Sequence, residues 1–117
     1  MTSWLNKYAT YEEVVVGSVV GIVAFAGGGQ ASATALTAKF NQIDTCTTDE
    51  NSVKLETCLI GKMQGVFNNT SQVLAVYPVS GQRINNVLNY KFLIAPGDYI
   101  EFRSYASGKC RSSEVSL

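Results

Sequence analysis

From residue 40 onward, apolar and polar side chains alternate over short runs, and turn residues separate the runs. Phe40 to Thr45 is one such run: Asn41, Ile43 and Thr45 share one side, Phe40, Gln42 and Asp44 the other. Val53 to Leu55, Thr57 to Ile60, Met63 to Phe67, Gln72 to Tyr77, Tyr90 to Ile94, Tyr99 to Tyr105 and Cys110 to Val115 read as further short strands. Between them lie the polar loop 47–52, Gly61-Lys62, Asn68 to Ser71, Ser80-Gly81, Pro96-Gly97-Asp98 and Ala106 to Lys109. Pro78 has no N–H to donate, so the strand before it must stop there or lie at a sheet edge. Pro96-Gly97 suits the two central positions of a type II turn, or a longer hairpin loop. The pattern predicts an all-β chain: an antiparallel β-sandwich or a jelly-roll-like barrel, with an extended N-terminal arm.

The arm is set apart because its pattern differs. Val14 to Ala26 is apolar without alternation and rich in valine and glycine. It reads as a strand, or as two strands broken at Gly17 or Gly21, buried on both faces. In a small chain that burial comes most easily from another subunit. The run is shorter than the roughly 20 residues that cross a membrane as a helix. Ala24-Phe25-Ala26 mimics a signal-peptide cleavage site, but Glu12-Glu13 stands where a basic leader would and Lys7 is the one base before it. Gly27-Gly28-Gly29 then acts as a hinge, dividing an arm at 1–26 from a sandwich domain at 27–117. It is not expected to cradle phosphate, because no Lys-Ser/Thr follows. Residues 31–40 are expected to be extended or irregular. Trp4, Leu5, Tyr8, Val14, Val16, Val20, Ile22 and Phe25 are the expected partner-contact residues, with Trp4 the single tryptophan and so the natural anchor.

Composition narrows the function. The 117 residues fit one domain. Nine basic and nine acidic side chains cancel, so no electrostatic footprint marks a nucleic acid or an anionic membrane as partner. Only 15% of residues are charged. Either a partner covers part of the surface, or uncharged polar residues keep a β surface soluble. The chain has no histidine, which removes the commonest general base and metal ligand. Cys46, Cys58 and Cys110 show no C-x-x-C spacing, so zinc is not expected. They read as small buried residues; a Cys46–Cys58 bridge requires their strands to be neighbours. Asp98 and Glu101, three apart on a strand, point to opposite faces and cannot share acid–base work. Asp44, Asp49 and Glu50 surround a polar loop and read as a solvated cluster rather than a calcium site. Arg83, Arg103 and Arg111 stand near strand ends, open to a partner carboxylate or to surface ion pairs. Tyr77, Tyr90, Phe92, Tyr99, Phe102 and Tyr105 read mainly as core, although an exposed aromatic row would suit sugar rings. No catalytic residue, cofactor or metal is expected.

Several short motifs carry a resemblance. They are Gly27 to Thr37 (GGGQASATALT), Asn41 with Ile43, Ser52-Val53-Lys54-Leu55, Gly61, Phe67-Asn68, Val76-Tyr77-Pro78 with Gly81, Ile84-Asn85, and the hairpin from Ala95 to Phe102. With these the stretch from Gly27 to Tyr105 resembles small β-domain structural proteins in the virions of tailed bacteriophages. Similar chains close with a tryptophan–tyrosine pair; here Tyr105-Ala106-Ser107-Gly108 stands in that region, so no role is carried over to the last strand. The resemblance implies a non-enzymatic part made in the host cytoplasm and found in the virion. The expectation is a capsid decoration (cement) protein, a homotrimer that binds the major capsid protein on the shell surface. The alternative is a tail, baseplate or fibre-associated module that binds host glycan.

Overall fold

A computed structural model describes residues 17–115 of the chain. The described residues form strands and turns, with no helix. β1 (Ser18–Val23), β3 (Phe40–Thr45) and β5 (Met63–Asn68) lie side by side and parallel. β2 (Thr34–Ala35), β4 (Asn51–Lys54) and β6 (Leu74–Tyr77) do the same in a second sheet. The chain thus passes from one sheet to the other and advances by one strand at each return. Ser18 faces Phe40 and Phe40 faces Gly65, so a coil takes about 19 to 25 residues.

The all-β expectation holds, but the architecture is a β-solenoid rather than an antiparallel sandwich or jelly-roll-like barrel. The reason is physical. Period-two alternation fixes which side of a strand is buried and says nothing of its neighbour's direction. Parallel neighbours require a crossover, and here the short strand in the opposite sheet supplies it.

The remaining strands turn back over the last coil. β7 (Arg83–Ile84) and β8 (Val87–Leu88) form a small hairpin. β9 (Phe92–Ile94) runs antiparallel to β6, and β10 (Tyr99–Ala106) runs antiparallel to β5. β11 (Lys109–Val115) pairs antiparallel with β10 and, on its other side, parallel with β7. The larger sheet is therefore ordered β1-β3-β5-β10-β11-β7-β8 and the smaller β2-β4-β6-β9. One end of the stack is closed by antiparallel strands; at the other, β1 and β2 are the outermost strands among the described residues.

The core fills the space between the sheets. Ile43 and Val66 project from one side, Val53, Leu74 and Val76 from the other, and Phe102 closes the end. Phe92 packs its ring edge-on to Phe102, 5.4 Å between centroids. Two asparagines enter this core fully buried and fully bonded. Asn41 Nδ2 donates to the carbonyls of Ala38 and Gly65, and its Oδ1 accepts from the Ala38 N–H. Asn68 Nδ2 donates to the carbonyls of Gln72 and Ile94, and its Oδ1 accepts from the N–H and hydroxyl of Thr70. Such polar groups are costly when unpaired, and here they pin the corners where the chain changes sheets.

The turn chemistry read from the sequence is present. β6 stops at Tyr77, directly before Pro78. The Asp98 N–H closes onto the Ala95 carbonyl at 3.1 Å, with Gly97 at φ 82°, which is a type II turn. The division at residue 27 is not visible in the packing. Ala24 lies in the core, and Phe25 bridges Ser52 through both backbone hydrogen bonds, at 2.9 and 3.0 Å. Residues 17–26 are therefore part of the first coil.

Candidate interaction surface

The site begins with the edge strand β1. Its one partner among the described residues is β3, through Ser18–Phe40, Val19–Asn41, Ile22–Ile43 and Val23–Thr45. The register slips between Val19 and Ile22, where Gly21 takes φ 75°. That left-handed conformation is one that the β-branched neighbours Val20 and Ile22 could not adopt cheaply. The slip is fastened from β3: the Gly21 N–H donates to Asp44 Oδ2 at 2.6 Å. The side-chain amides of Asn69 and Gln42 donate to Asp44 Oδ1. These bonds, Asn69's foremost, hold the Asp44 carboxyl below its ordinary value.

The bulge sends most of β1 outward. Val20 is 64% exposed and Val23 57%, while Val19 is partly exposed and Ile22 packs against the core. Burial on both faces is expected of this strand; among the described residues nothing covers the outer face, so Val19, Val20 and Val23 meet solvent while Ile22 turns inward. Phe25 is also exposed, with its ring folded over Gly27; a Cβ there would meet the ring at 2.5 Å. The structure thus gathers Val20, Ile22 and Phe25 on one edge. Trp4, Leu5, Tyr8, Val14 and Val16 lie outside the described residues.

Two further apolar exposures escaped the pattern analysis. Leu59 and Ile60, read as the end of a strand, form a turn: the Lys62 N–H donates to the Leu59 carbonyl at 2.9 Å and Gly61 sits at φ 86°. Ile60 is 76% exposed. Val87 and Leu88 are exposed on β8, the opposite edge of the same sheet. The hairpin that carries them was legible in principle. Asn85 and Asn86 both take positive φ, 53° and 70°, and an Asn-Asn pair favours that type I′ turn.

The charged candidates are mostly engaged within the chain. Asp49 accepts the Val73 N–H, and Glu50 pairs with Lys91 at 2.6 Å, which raises the Lys91 ammonium above its ordinary value. Arg103 pairs with Glu101, and the Arg111 guanidinium lies 4.5 Å from the Tyr105 ring centroid. Asp98 and Glu101 do not act together: Glu101 accepts from the Tyr99 hydroxyl and from Arg103. Among the described residues no group of three or more His, Cys, Asp or Glu could hold a metal ion. Of the aromatics, Phe92 and Phe102 pack in or against the core, Tyr99 packs beside Phe40, and Tyr90 and Tyr105 remain exposed. The three cysteines are buried and free. Cys46 donates to the Thr48 carbonyl, whereas Cys58 and Cys110 share a cavity elsewhere, so the sequence-level Cys46–Cys58 pairing has no geometry behind it.

No family model, curated protein sequence or solved structure matches the chain.

Proposed function

We propose that this chain is a non-enzymatic structural protein of a phage virion, a capsid decoration protein that adheres to the assembled shell. The observation that carries the reading is the edge strand β1. Among the described residues it is paired on one side only, by β3, and it exposes Val19, Val20 and Val23, with no charge among them. An exposed apolar edge of this kind is a liability in a free monomer and an asset in an assembly. A partner strand adds to it by backbone hydrogen bonds, and the valines supply the apolar contact. The partner in this reading is the major capsid protein together with further copies of the chain in a trimer. Many copies binding the assembled shell in preference to free subunits stabilise it by mass action.

The test is the copy number of the chain relative to the major capsid protein in purified particles, by quantitative mass spectrometry. A ratio near one, or a simple large fraction of it, is expected. A double variant Val20→Lys with Val23→Lys should fold and yet be lost from particles. Absence of the wild-type chain from particles would end the proposal. A handful of copies would favour the tail, baseplate or fibre reading, which exposed Tyr90 and Tyr105 support as candidate sugar-stacking rings. A glycan-array signal lost in Tyr90→Ala would then be the measurement to make.

A further inference from the structure

Cys58 lies in the connection from β4 to β5, and Cys110 lies on β11, far away in sequence. The fold brings them to one cavity of about 10 Å³, whose walls include Leu55, Phe102 and Ser104. Both backbones are fixed there. The Gly108 N–H donates to the Cys58 carbonyl at 2.9 Å, and the Cys58 N–H donates to Gln82 Oε1 at 2.9 Å. Cys110 is held between Ser104 on one side and Ile84 on the other. We infer that Cys58 and Cys110 form a disulfide site, oxidised by a small peroxide, that latches the closing strand β11 to the solenoid coil.

The two thiols have different parts to play. A hydrogen bond from the Cys110 thiol holds Cys58 down to about 6 against the opposing effect of burial, and Ser104 and Lys62 act in the same direction. The same bond, with burial, pushes Cys110 up. Cys58 is therefore the nucleophile and Cys110 the resolving thiol. The cavity is no larger than one water molecule, which excludes bulky disulfide oxidants; a small peroxide is the oxidant whose approach to the Cys58 sulfur displaces the walls least. The Cys58 thiolate attacks one peroxide oxygen, the O–O bond breaks, and hydroxide leaves. The resulting sulfenic acid is attacked by Cys110; the S–S bond forms, the S–O bond breaks, and water leaves. In sum, two thiols and one peroxide give one disulfide and two waters. Cys46, bonded to the Thr48 carbonyl in another part of the fold, takes no part.

The test is to treat the folded full chain with hydrogen peroxide, block the remaining thiols with N-ethylmaleimide, and map peptides without reduction. The expected product has lost two hydrogens, carries a Cys58–Cys110 cross-linked peptide, and is alkylated at Cys46. A Cys110→Ser chain should instead accumulate a dimedone-reactive sulfenic acid at Cys58. Recovery of Cys58 and Cys110 alkylated under conditions that oxidise the urea-unfolded chain would overturn the inference. So would cross-links that include Cys46 as often as in that unfolded control. Since the decisive mapping uses the unmodified protein, poor folding of the serine variant does not blunt it.

Discussion

Adding one methyl group at Gly65 tests the packing of the central strand. Gly65 lies on β5, opposite Phe40 on β3 and Glu101 on β10, so its backbone is paired on both sides. The Tyr99 ring lies across it. A Cβ at position 65 would collide with the Tyr99 hydroxyl oxygen and stand 2.6 and 2.7 Å from two ring carbons. Either a doubly paired strand shifts or the ring moves. Complete ejection would expose most of a tyrosine, at about 4 kcal/mol, and would lose the Phe40 contact, whose centroids are 5.5 Å apart. A partial shift is cheaper, and overpacking of this sort costs about 1–3 kcal/mol. Alanine also recovers about 0.5–1 kcal/mol of chain entropy in a strand. The net expectation for Gly65→Ala is a loss of about 1–2 kcal/mol. It would be read in urea unfolding as a lower midpoint at unchanged slope. In a Tyr99→Leu background the same change should become neutral or stabilising, which a double-mutant cycle reports as coupling. An unchanged midpoint in the wild-type chain, or equal losses in both backgrounds, would refute the reasoning.

Asn68→Ala should cost about 2–4 kcal/mol in the same assay, because it strands the buried carbonyls of Gln72 and Ile94 that now accept from its amide; a loss below about 0.5 kcal/mol would contradict that account. Burial, and then the Glu101 carboxylate, push the Tyr99 hydroxyl up to about 12 from 10.0. The folded chain keeps a proton that the unfolded chain releases in that window, so this contribution is full below pH 10 and is lost as the pH rises through about 12. Tyr99→Phe should flatten the fall in urea midpoint between those values, and identical slopes for the two proteins would exclude the assignment. For Asp44 the sign is opposite: its lowered carboxyl contributes above the ordinary carboxylate range, and the contribution is lost as the pH falls through the folded value. Asp44→Asn should therefore remove part of the acid limb of the stability profile, and should speed amide exchange at Gly21 near neutral pH, measurable by NMR.

What the sequence disclosed follows from what alternation encodes. Phe40 to Thr45 and Tyr99 to Tyr105 were legible as strands, because a half-buried strand must alternate, while Tyr105, expected with the core aromatics, is exposed. Pro78 and Pro96-Gly97 marked their stops through backbone chemistry alone. Strand direction was not legible, since a parallel and an antiparallel neighbour demand the same alternation. β4 begins two residues before the expected Val53, because Asn51 and Ser52 look like loop residues. They are buried, with Ser52 held by the backbone bridge to Phe25 and Asn51 by the Thr47 and Thr48 side chains. The apolar run Val14 to Ala26 shows a different limit. Lack of alternation implies burial on both faces but does not say whether the chain or another subunit supplies it, and within the single chain Val20 and Val23 face solvent. Two cysteines 52 positions apart carry no spacing signal, and only the return of β11 onto the last coil brings them together.

The one-sided support of the first coil also sets an order of events in time. In a stacked repeat each layer is stabilised chiefly by the layers beside it, so a terminal layer opens at a lower free energy than an interior one. β1 has β3 as its only strand neighbour among the described residues, and β5 has β3 and β10. Among the described strands, unfolding should therefore proceed as peeling from the β1 side. Hydrogen exchange would be fastest in Ser18–Val23, slower in Phe40–Thr45, and limited by global unfolding in Met63–Asn68. The strand nearest to a prospective partner is thus the one the molecule can most cheaply release and re-form.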